Sequence, residues 1–192
     1  MNMEPERESW NRRYAEGSHD EREPDPFLVN AYEEFVAPLF PNAGRAFDVA
    51  GGLGRHAIWL AERQWNVTLV DISDVGIAKA RQYAGPLANR IKFHACDLSE
   101  FGIGENEFDL IVVFFYLARD LYSALEEALR PGGVLIYKTY TYLQPLFGKG
   151  PTHPMHLLHE DELLRAFPRL RVLHYHETMR ERGVAEYVGR KK

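Results

Sequence analysis

A glycine-rich turn at residues 48–54, with the sequence DVAGGLG, is the segment of this chain best suited to bind a small ligand. It follows a short apolar run and leads into a predicted helix. Glycine lets the backbone turn tightly and approach a ligand where a side chain would collide. The start of the following helix offers unpaired N–H groups and a positive dipole end, which suit a nucleotide or a carboxylate. A tight turn with no ligand is the alternative.

Acidic residues follow the next two predicted strands. Asp71 comes directly after residues 67–70, and Asp97 comes shortly after residues 91–95. An acid at the tip of a second strand can accept hydrogen bonds from both ribose hydroxyls, and it disfavours a 2′-phosphate. Asp97 can accept from an adenine amino group, with Leu98 packed on the ring. Each acid can instead be an ordinary helix cap or loop residue.

Short apolar runs that alternate with amphipathic stretches predict the elements that position this turn. The runs are nearly continuous, which is typical of strands buried on both faces: 46–50, 67–70, 91–95, 108–114 and 134–137. The predicted helices between them are 55–64, 75–83 and 120–129. This order predicts a parallel sheet with helices on both faces, whose carboxyl edge binds ligands.

The last forty residues predict a different arrangement. Residues 161–167 have helical spacing, and residues 170–177 and 184–189 have the pattern of two strands. The segment between these strands is too short for a helical crossover, so they must run antiparallel. The complete prediction is an α/β fold with a seven-stranded, mostly parallel sheet and an antiparallel last strand.

The first part of the chain is charged, and residues 10–14 (WNRRY) predict a short helix. Trp10 and Tyr14 are spaced to share one helix face, so both can press against the body of the protein. A mobile tail is the alternative. Residues 27–39 have the spacing of a further helix.

Composition narrows the possible partners. The formal net charge of −5 argues against sequence-independent binding to nucleic acid, which needs many phosphate contacts. The single cysteine, Cys96, permits no intrachain disulfide. The start of the chain lacks an apolar signal region, and no apolar run approaches the roughly 20 residues that cross a bilayer. We therefore expect a cytoplasmic protein with no nucleic-acid or membrane partner.

Taken together, these motifs resemble the class I S-adenosylmethionine-dependent methyltransferases, which have a Rossmann-like fold. Residues 48–54 are similar to their first motif, Asp71 to the acid of the second, and residues 96–98 to the third. Residues 128–135 (ALRPGGVL) resemble the helix–turn–strand that enters their fifth strand. The final hairpin is similar to their antiparallel seventh strand. Ala50 replaces the first glycine of the motif, and we expect it to be tolerated with a negative φ.

The resemblance implies S-adenosylmethionine as the cofactor. It also implies that residues 1–26 form a segment whose short helix caps the cofactor site, and that residues 27–192 form a single methyltransferase domain. The implied cofactor contacts are Arg13, Tyr14, Asp48, Ala50, Gly51, Gly52, Gly54, Arg55, Asp71, Ile72, Asp97, Leu98, Phe114 and Phe115. For Arg13 and Tyr14, simple packing of a helix is the alternative, and for Phe114 it is a place in the core.

Within the class, residues 10–14 and 153–158 (HPMHLL) resemble segments of the small tellurite-resistance-like and thiopurine-methyltransferase-like group. The group implies a small-molecule methyl acceptor, namely a thiol, a small aromatic compound or a metalloid oxyanion, and a monomer or homodimer. The fourth strand ends in FFYL at residues 114–117. That ending does not resemble the N/D-P-P-Y/F motif of methyltransferases that act on nucleobase amines.

No general base is assigned. The candidates for a catalytic role are Tyr116, Tyr140, His153 and His156, because the loops after the fourth and fifth strands border the pocket in this fold. We predict no metal site, since Pro154 breaks the H-x-x-H-x-x-H pattern and no cysteine completes a ligand set. A non-catalytic module that binds S-adenosylmethionine and a nucleotide-dependent oxidoreductase are the alternative functions.

Overall fold

A computed structural model describes residues 4–192 and contains the seven predicted strands. Their bounds are β1 (Arg45–Val49), β2 (Asn66–Asp71), β3 (Ile91–Ala95), β4 (Phe108–Phe114), β5 (Leu129–Tyr140), β6 (Leu170–Thr178) and β7 (Val184–Lys191). They form one sheet in the order β3-β2-β1-β4-β5-β7-β6. β7 runs antiparallel to both β5 and β6, whereas β1–β2, β2–β3 and β4–β5 are parallel pairs. The predicted Rossmann-like fold class is confirmed.

The chain divides into two units, the first ending at Gly102 and the second spanning Ile103–Lys192. The helices of the first unit are α1 (Glu4–Ala15), α2 (Pro26–Ala31), α3 (Arg55–Glu62) and α4 (Asp74–Ala84). The α1 helix is longer than the predicted short helix. The helix predicted for residues 27–39 changes to a π-helix at Tyr32–Val36, with the N–H of Ala37 donating to the carbonyl of Tyr32 at 2.8 Å.

The helix α4 begins at a well-formed cap. The Ser73 side chain accepts from the N–H of Gly76 at 2.9 Å, as an N-cap serine does. The Ser73 hydroxyl also donates to Asn11 Oδ1 of α1 at 2.6 Å. The first turn of α4 is thus the point at which α1 is anchored.

The second unit contains α5 (Tyr122–Ala128) and α6 (Glu162–Ala166), in the places predicted for its helices. Its β5 begins five residues earlier than predicted. Phe108 pairs with Leu129 while Leu110 pairs with Val134, so the extra residues of β5 form a bulge. Gly132 lies in this bulge with a φ of 82°, a conformation that favours glycine.

A long loop follows β5 and is fixed at several points. Arg119 donates to both carboxylate oxygens of Glu162 at 2.8 Å and to the carbonyl of Leu157 at 2.9 Å. Thr141 bridges to Leu158. These contacts fix the end of the HPMHLL segment, residues 153–158. Among the residues described, no helix is both long enough and apolar enough to span a lipid bilayer.

Candidate functional site

The glycine turn connects β1 to α3 and is tightly packed. Gly52 and Gly54 have φ values of 55° and 78°, in the region that suits glycine. A Cβ on Gly51 would lie 2.6 Å from Asp48 Oδ2, so no other residue fits there without movement. The N–H of Gly51 donates to the carbonyl of Val70 at 3.2 Å, which ties the turn to β2.

Asp48 supports the turn from within the protein. Its side chain is almost fully buried, and Oδ2 accepts from the N–H of Ala57 in the first turn of α3 at 3.0 Å. Burial raises the pKa of Asp48 from 3.8 to about 7, although the Ala57 hydrogen bond and the charge of Arg55 act in the opposite direction. The carboxyl therefore lies between the turn and the start of the helix, where it fixes both.

Asp71 links the turn to the end of β2. Its Oδ2 accepts from the N–H of Gly52 at 2.8 Å, and its Oδ1 accepts from the N–H of Ser73 at 2.9 Å. Burial raises the pKa of Asp71 to about 6, against the effect of these two hydrogen bonds. A carboxylate offers about four acceptor positions, so two remain for the hydroxyls of a ligand. The structure thus brings Gly52 and Asp71 together.

Asp97 and Leu98 follow β3, beside the end of β2. The N–H of Cys96 donates to the carbonyl of Asp71 at 3.0 Å. Asp97 Oδ1 accepts from the N–H of Ser99 at 2.8 Å, so Asp97 also fixes a turn after β3, which is the loop role given above as an alternative. Leu98 is buried.

Tyr14 of α1 packs against the glycine turn. A Cβ on Gly52 would lie 2.5 Å from the Tyr14 hydroxyl oxygen, and a Cβ on Gly76 would lie 2.9 Å from the Tyr14 ring. Burial raises the pKa of Tyr14, and the nearby carboxylate of Asp71 raises it further. Tyr14 therefore fits in this position only because residues 52 and 76 are glycines without a Cβ. Sequence reasoning gave no role to Asn11 and Ser73, whose hydrogen bond anchors the helix that carries Tyr14.

The other predicted contacts in the first unit are more open to solvent. Arg13 is exposed, and its guanidinium carbon lies 4.8 Å from the centre of the Trp10 ring. Arg55 is half-buried and donates to the carbonyl of Glu23 at 3.5 Å. Ile72 is half-buried between Asp71 and the cap of α4.

Ala50 has a φ of 52°, so the expectation of a negative φ is wrong. The left-handed conformation directs the chain so that the next N–H, that of Gly51, reaches Val70. For an alanine this conformation costs roughly 1–2 kcal/mol. Strained residues of this kind persist where their surroundings fix them, and they cluster at ligand sites.

The end of β4 in the second unit shows the same kind of strain. Phe115 has a φ of 57°, and its N–H donates to the carbonyl of Lys138 at 2.8 Å. Phe114 is buried, as in its alternative role in the core, whereas Phe115 is half-buried. The Tyr116 carbonyl accepts from the Tyr137 hydroxyl at 2.9 Å, which fixes the start of the following loop.

The candidates for a catalytic role lie in two places within the second unit. The Tyr140 ring centre lies 5.1 Å from that of Phe115. His153 and His156 are exposed on the loop after β5, with ring centres 6.1 Å apart. Across residues 4–192, no group of three or more histidine, cysteine or acidic side chains is arranged to hold a metal ion.

Residues 46–133 match a family described as "Methyltransferase domain". This segment is therefore similar to methyltransferase domains. The match includes the glycine turn, Asp71, Asp97 and the end of β4. It covers somewhat less than half of the chain.

Among individual proteins, the tRNA 5-carboxymethoxyuridine methyltransferase of Escherichia coli K12 is 32% identical over 116 residues, which are 56% of this chain and 44% of that protein. The chain therefore spans less than half the length of this relative. The N-methyltransferase NodS from Bradyrhizobium japonicum WM9, solved with S-adenosyl-L-homocysteine, has a TM-score of 0.72 at 18% identity and covers 96% of this chain and 97% of its own.

TehB from Haemophilus influenzae has the same TM-score of 0.72 at 17% identity, with coverage of 94% of this chain and 66% of TehB. At such identities the likeness concerns the fold alone. Because NodS and TehB fit equally well, the fold does not single out a subgroup. The resemblance to the tellurite-resistance-like and thiopurine-methyltransferase-like group stays a prediction.

The strain at Ala50 predicts that Ala50→Gly increases the free energy of unfolding by about 1 kcal/mol. Urea denaturation measures this change. The control is Ala46→Gly in β1, where glycine should instead destabilise the protein because the backbone there is extended. Equal effects of the two substitutions would show that Ala50 stores no strain.

The raised pKa values of Asp48 and Asp71 predict the direction of a pH dependence. In the unfolded chain both carboxyls titrate near pH 4, at about 3.9. Between about pH 4 and 7 the folded protein therefore binds protons that the unfolded chain has lost, and these groups make its free energy of unfolding decrease as the pH rises. Asp48→Asn should flatten this decrease, whereas Asp74→Asn, which alters an exposed acid, should leave it unchanged. Urea denaturation at several pH values tests this, and identical slopes in all three proteins would refute it.

Proposed function

We propose that this protein transfers a methyl group from S-adenosylmethionine to a small-molecule acceptor, namely a thiol, a small aromatic compound or a metalloid oxyanion. S-adenosylmethionine is the cofactor indicated by the methyltransferase family and its fold. The observation that carries the proposal is the Asp71 carboxylate, which holds the N–H groups of Gly52 and Ser73 at the end of β2 and keeps two acceptor positions free.

The residues of the first unit fit the parts of this cofactor. Asp71 would accept from the ribose hydroxyls. Asp97 would accept from the adenine amino group, with Leu98 packed against the ring. The turn above Asp48, from Ala50 to Gly54, would hold the methionine part, since its glycines let the backbone approach closely.

Tyr14 would cover the methionine part of the cofactor, because its ring lies against Gly52. Residues 1–26 would thus form the capping segment, and residues 27–192 the methyltransferase domain. Arg13 would contribute charge from the solvent side of the same helix.

The cofactor supplies an activated methyl group, and the protein supplies orientation and exclusion of water. A thiolate or an oxyanion needs no proton removed before it attacks. For such acceptors the aromatic residues after β4 and at the end of β5 would position the nucleophile. Tyr116, Tyr140, His153 and His156 are the groups able to take a proton from an acceptor that carries one.

A small acceptor is supported by the chain's formal charge of −5 and by the FFYL sequence, residues 114–117, at the end of β4 and just after it. The E. coli relative is named for an action on tRNA, so a tRNA acceptor is the alternative outcome. Transfer of a radiolabelled methyl group to a panel of thiols, small aromatic compounds, carboxylates, metalloid oxyanions and tRNA separates these possibilities. Labelling of no acceptor, despite tight cofactor binding, would favour a non-catalytic binding module.

Ligand-dependent stability tests the choice of cofactor. S-adenosylhomocysteine at 100 times its dissociation constant should increase the free energy of unfolding by about 2.7 kcal/mol, because it binds only the folded state. NAD at the same concentration should have no effect. Stabilisation by NAD without stabilisation by S-adenosylhomocysteine would overturn the proposal in favour of an oxidoreductase.

Replacement of Asp71 tests the site itself. Asp71→Ala should weaken S-adenosylhomocysteine binding by roughly 1–3 kcal/mol, because the ribose hydroxyls lose their acceptor. Asp74→Ala is the matched control, since Asp74 is an exposed acid in the first turn of α4. Isothermal titration calorimetry on the folded variants gives the affinities. Equal affinity of Asp71→Ala and wild type would remove Asp71 from the site.

A further inference from the structure

Two cationic side chains lie near the half-buried ring of Phe115. The Lys138 Nζ lies 5.9 Å from the centre of the ring, and the Arg182 Cζ lies 5.7 Å from it. The Tyr140 ring packs at 5.1 Å between centres. Two cations at this distance would repel a third, so the surroundings of Phe115 suit an anion better than the sulfonium of the cofactor.

The two cations differ in how far their charge is compensated. Lys138 forms an ion pair with Glu186 at 3.0 Å, across the β5–β7 pairing. Within the described residues, 4–192, Arg182 makes no ion pair, and its side chain is exposed. Arg182 therefore supplies the uncompensated positive charge beside the ring. Its planar guanidinium can bind a carboxylate through two parallel hydrogen bonds.

The backbone that carries Arg182 is held in place. The N–H of the next residue, Gly183, donates to Gln144 Oε1 at 2.9 Å, and its carbonyl accepts from the N–H of Thr141 at 2.8 Å. A Cβ on Gly183 would lie 2.5 Å from the Gln144 backbone nitrogen, so the hairpin and the loop after β5 are in close contact. Arg182 thus projects from a fixed point and not from a free hairpin tip.

We propose that Phe115, Tyr140 and Arg182 form a subsite for a methyl acceptor that has an apolar or aromatic body and one carboxylate. The rings of Phe115 and Tyr140 pack against the body, and Arg182 binds the carboxylate. This inference rests on the proposed function and specifies its acceptor. It assigns Phe115 to the acceptor, whereas the resemblance of the sequence placed Phe115 among the cofactor contacts.

Two small probes that differ only in charge test the subsite. Phenylacetate has a ring and a carboxylate, and phenylacetamide has the same shape without the charge. NMR titration of the wild-type protein, with and without saturating S-adenosylhomocysteine, gives both dissociation constants. We expect phenylacetate to bind at least about tenfold more tightly, as a charge-assisted hydrogen bond to Arg182 provides.

The matched variants are Arg182→Gln and Arg180→Gln, which remove the same charge two positions apart in one hairpin. Arg182→Gln should reduce the preference for phenylacetate to less than about threefold and leave the phenylacetamide constant unchanged. Arg180→Gln should keep the full preference. Both variants should bind S-adenosylhomocysteine with wild-type affinity.

Several results would overturn the subsite: no measurable binding of phenylacetate, equal binding of the two probes to wild type, or the same loss of preference in both variants. A different result would refute the proposed function. If S-adenosylhomocysteine does not bind while phenylacetate keeps its Arg182-dependent preference, the carboxylate subsite stands and the methyltransferase assignment does not.

Discussion

Two buried carboxyls hold the glycine turn in its conformation, and the rest of the first unit is arranged around them. Asp48 accepts from the first turn of α3, and Asp71 accepts from Gly52 and from the residue that caps α4. Burying a charged carboxyl is unfavourable, and this loss of hydration is the main reason why both pKa values are raised. The backbone N–H groups offset part of this cost, and they fix the ends of β1 and β2 to each other.

The same contacts explain why α1 belongs to the candidate site. The Ser73 hydroxyl donates to Asn11 of α1, and the Ser73 N–H donates to Asp71, the proposed acceptor for the ribose hydroxyls. Ser73 therefore connects α1 directly to Asp71. Tyr14 occupies space that two glycines leave open. Under the proposed function, the helix is a structural part of the cofactor site, and a larger residue at Gly52 or Gly76 would displace it.

The candidate site residues of the two units differ in the sign of their charge. The candidate cofactor residues of the first unit include three acids, which suit the hydroxyl and amino groups of an adenosyl compound. The residues around Phe115 in the second unit are cationic and aromatic. This difference supports different proposed roles for the two sets of residues. The acids of the first unit would accept hydrogen bonds from the cofactor, and the cationic residues of the second unit would bind an anionic methyl acceptor.

The order of the strands and helices along the chain, the antiparallel hairpin and the pairing of a glycine turn with acids at strand ends could all be predicted from the sequence. These features depend on spacing along the chain, because hydrophobic period and turn chemistry are local properties. The motifs at residues 48–54, 71 and 96–98 could be recognised for the same reason, and they lie within the family match.

The remaining features depend on contacts between residues that are distant in the sequence. Ala50 has a positive φ where the next N–H, that of Gly51, reaches Val70, and Phe115 has a positive φ where its own N–H donates to Lys138. Asn11 and Ser73 meet across 62 positions of sequence, and Arg182 reaches Phe115 from the turn between β6 and β7. Such contacts depend on which strands become neighbours, and no local pattern of residues specifies that.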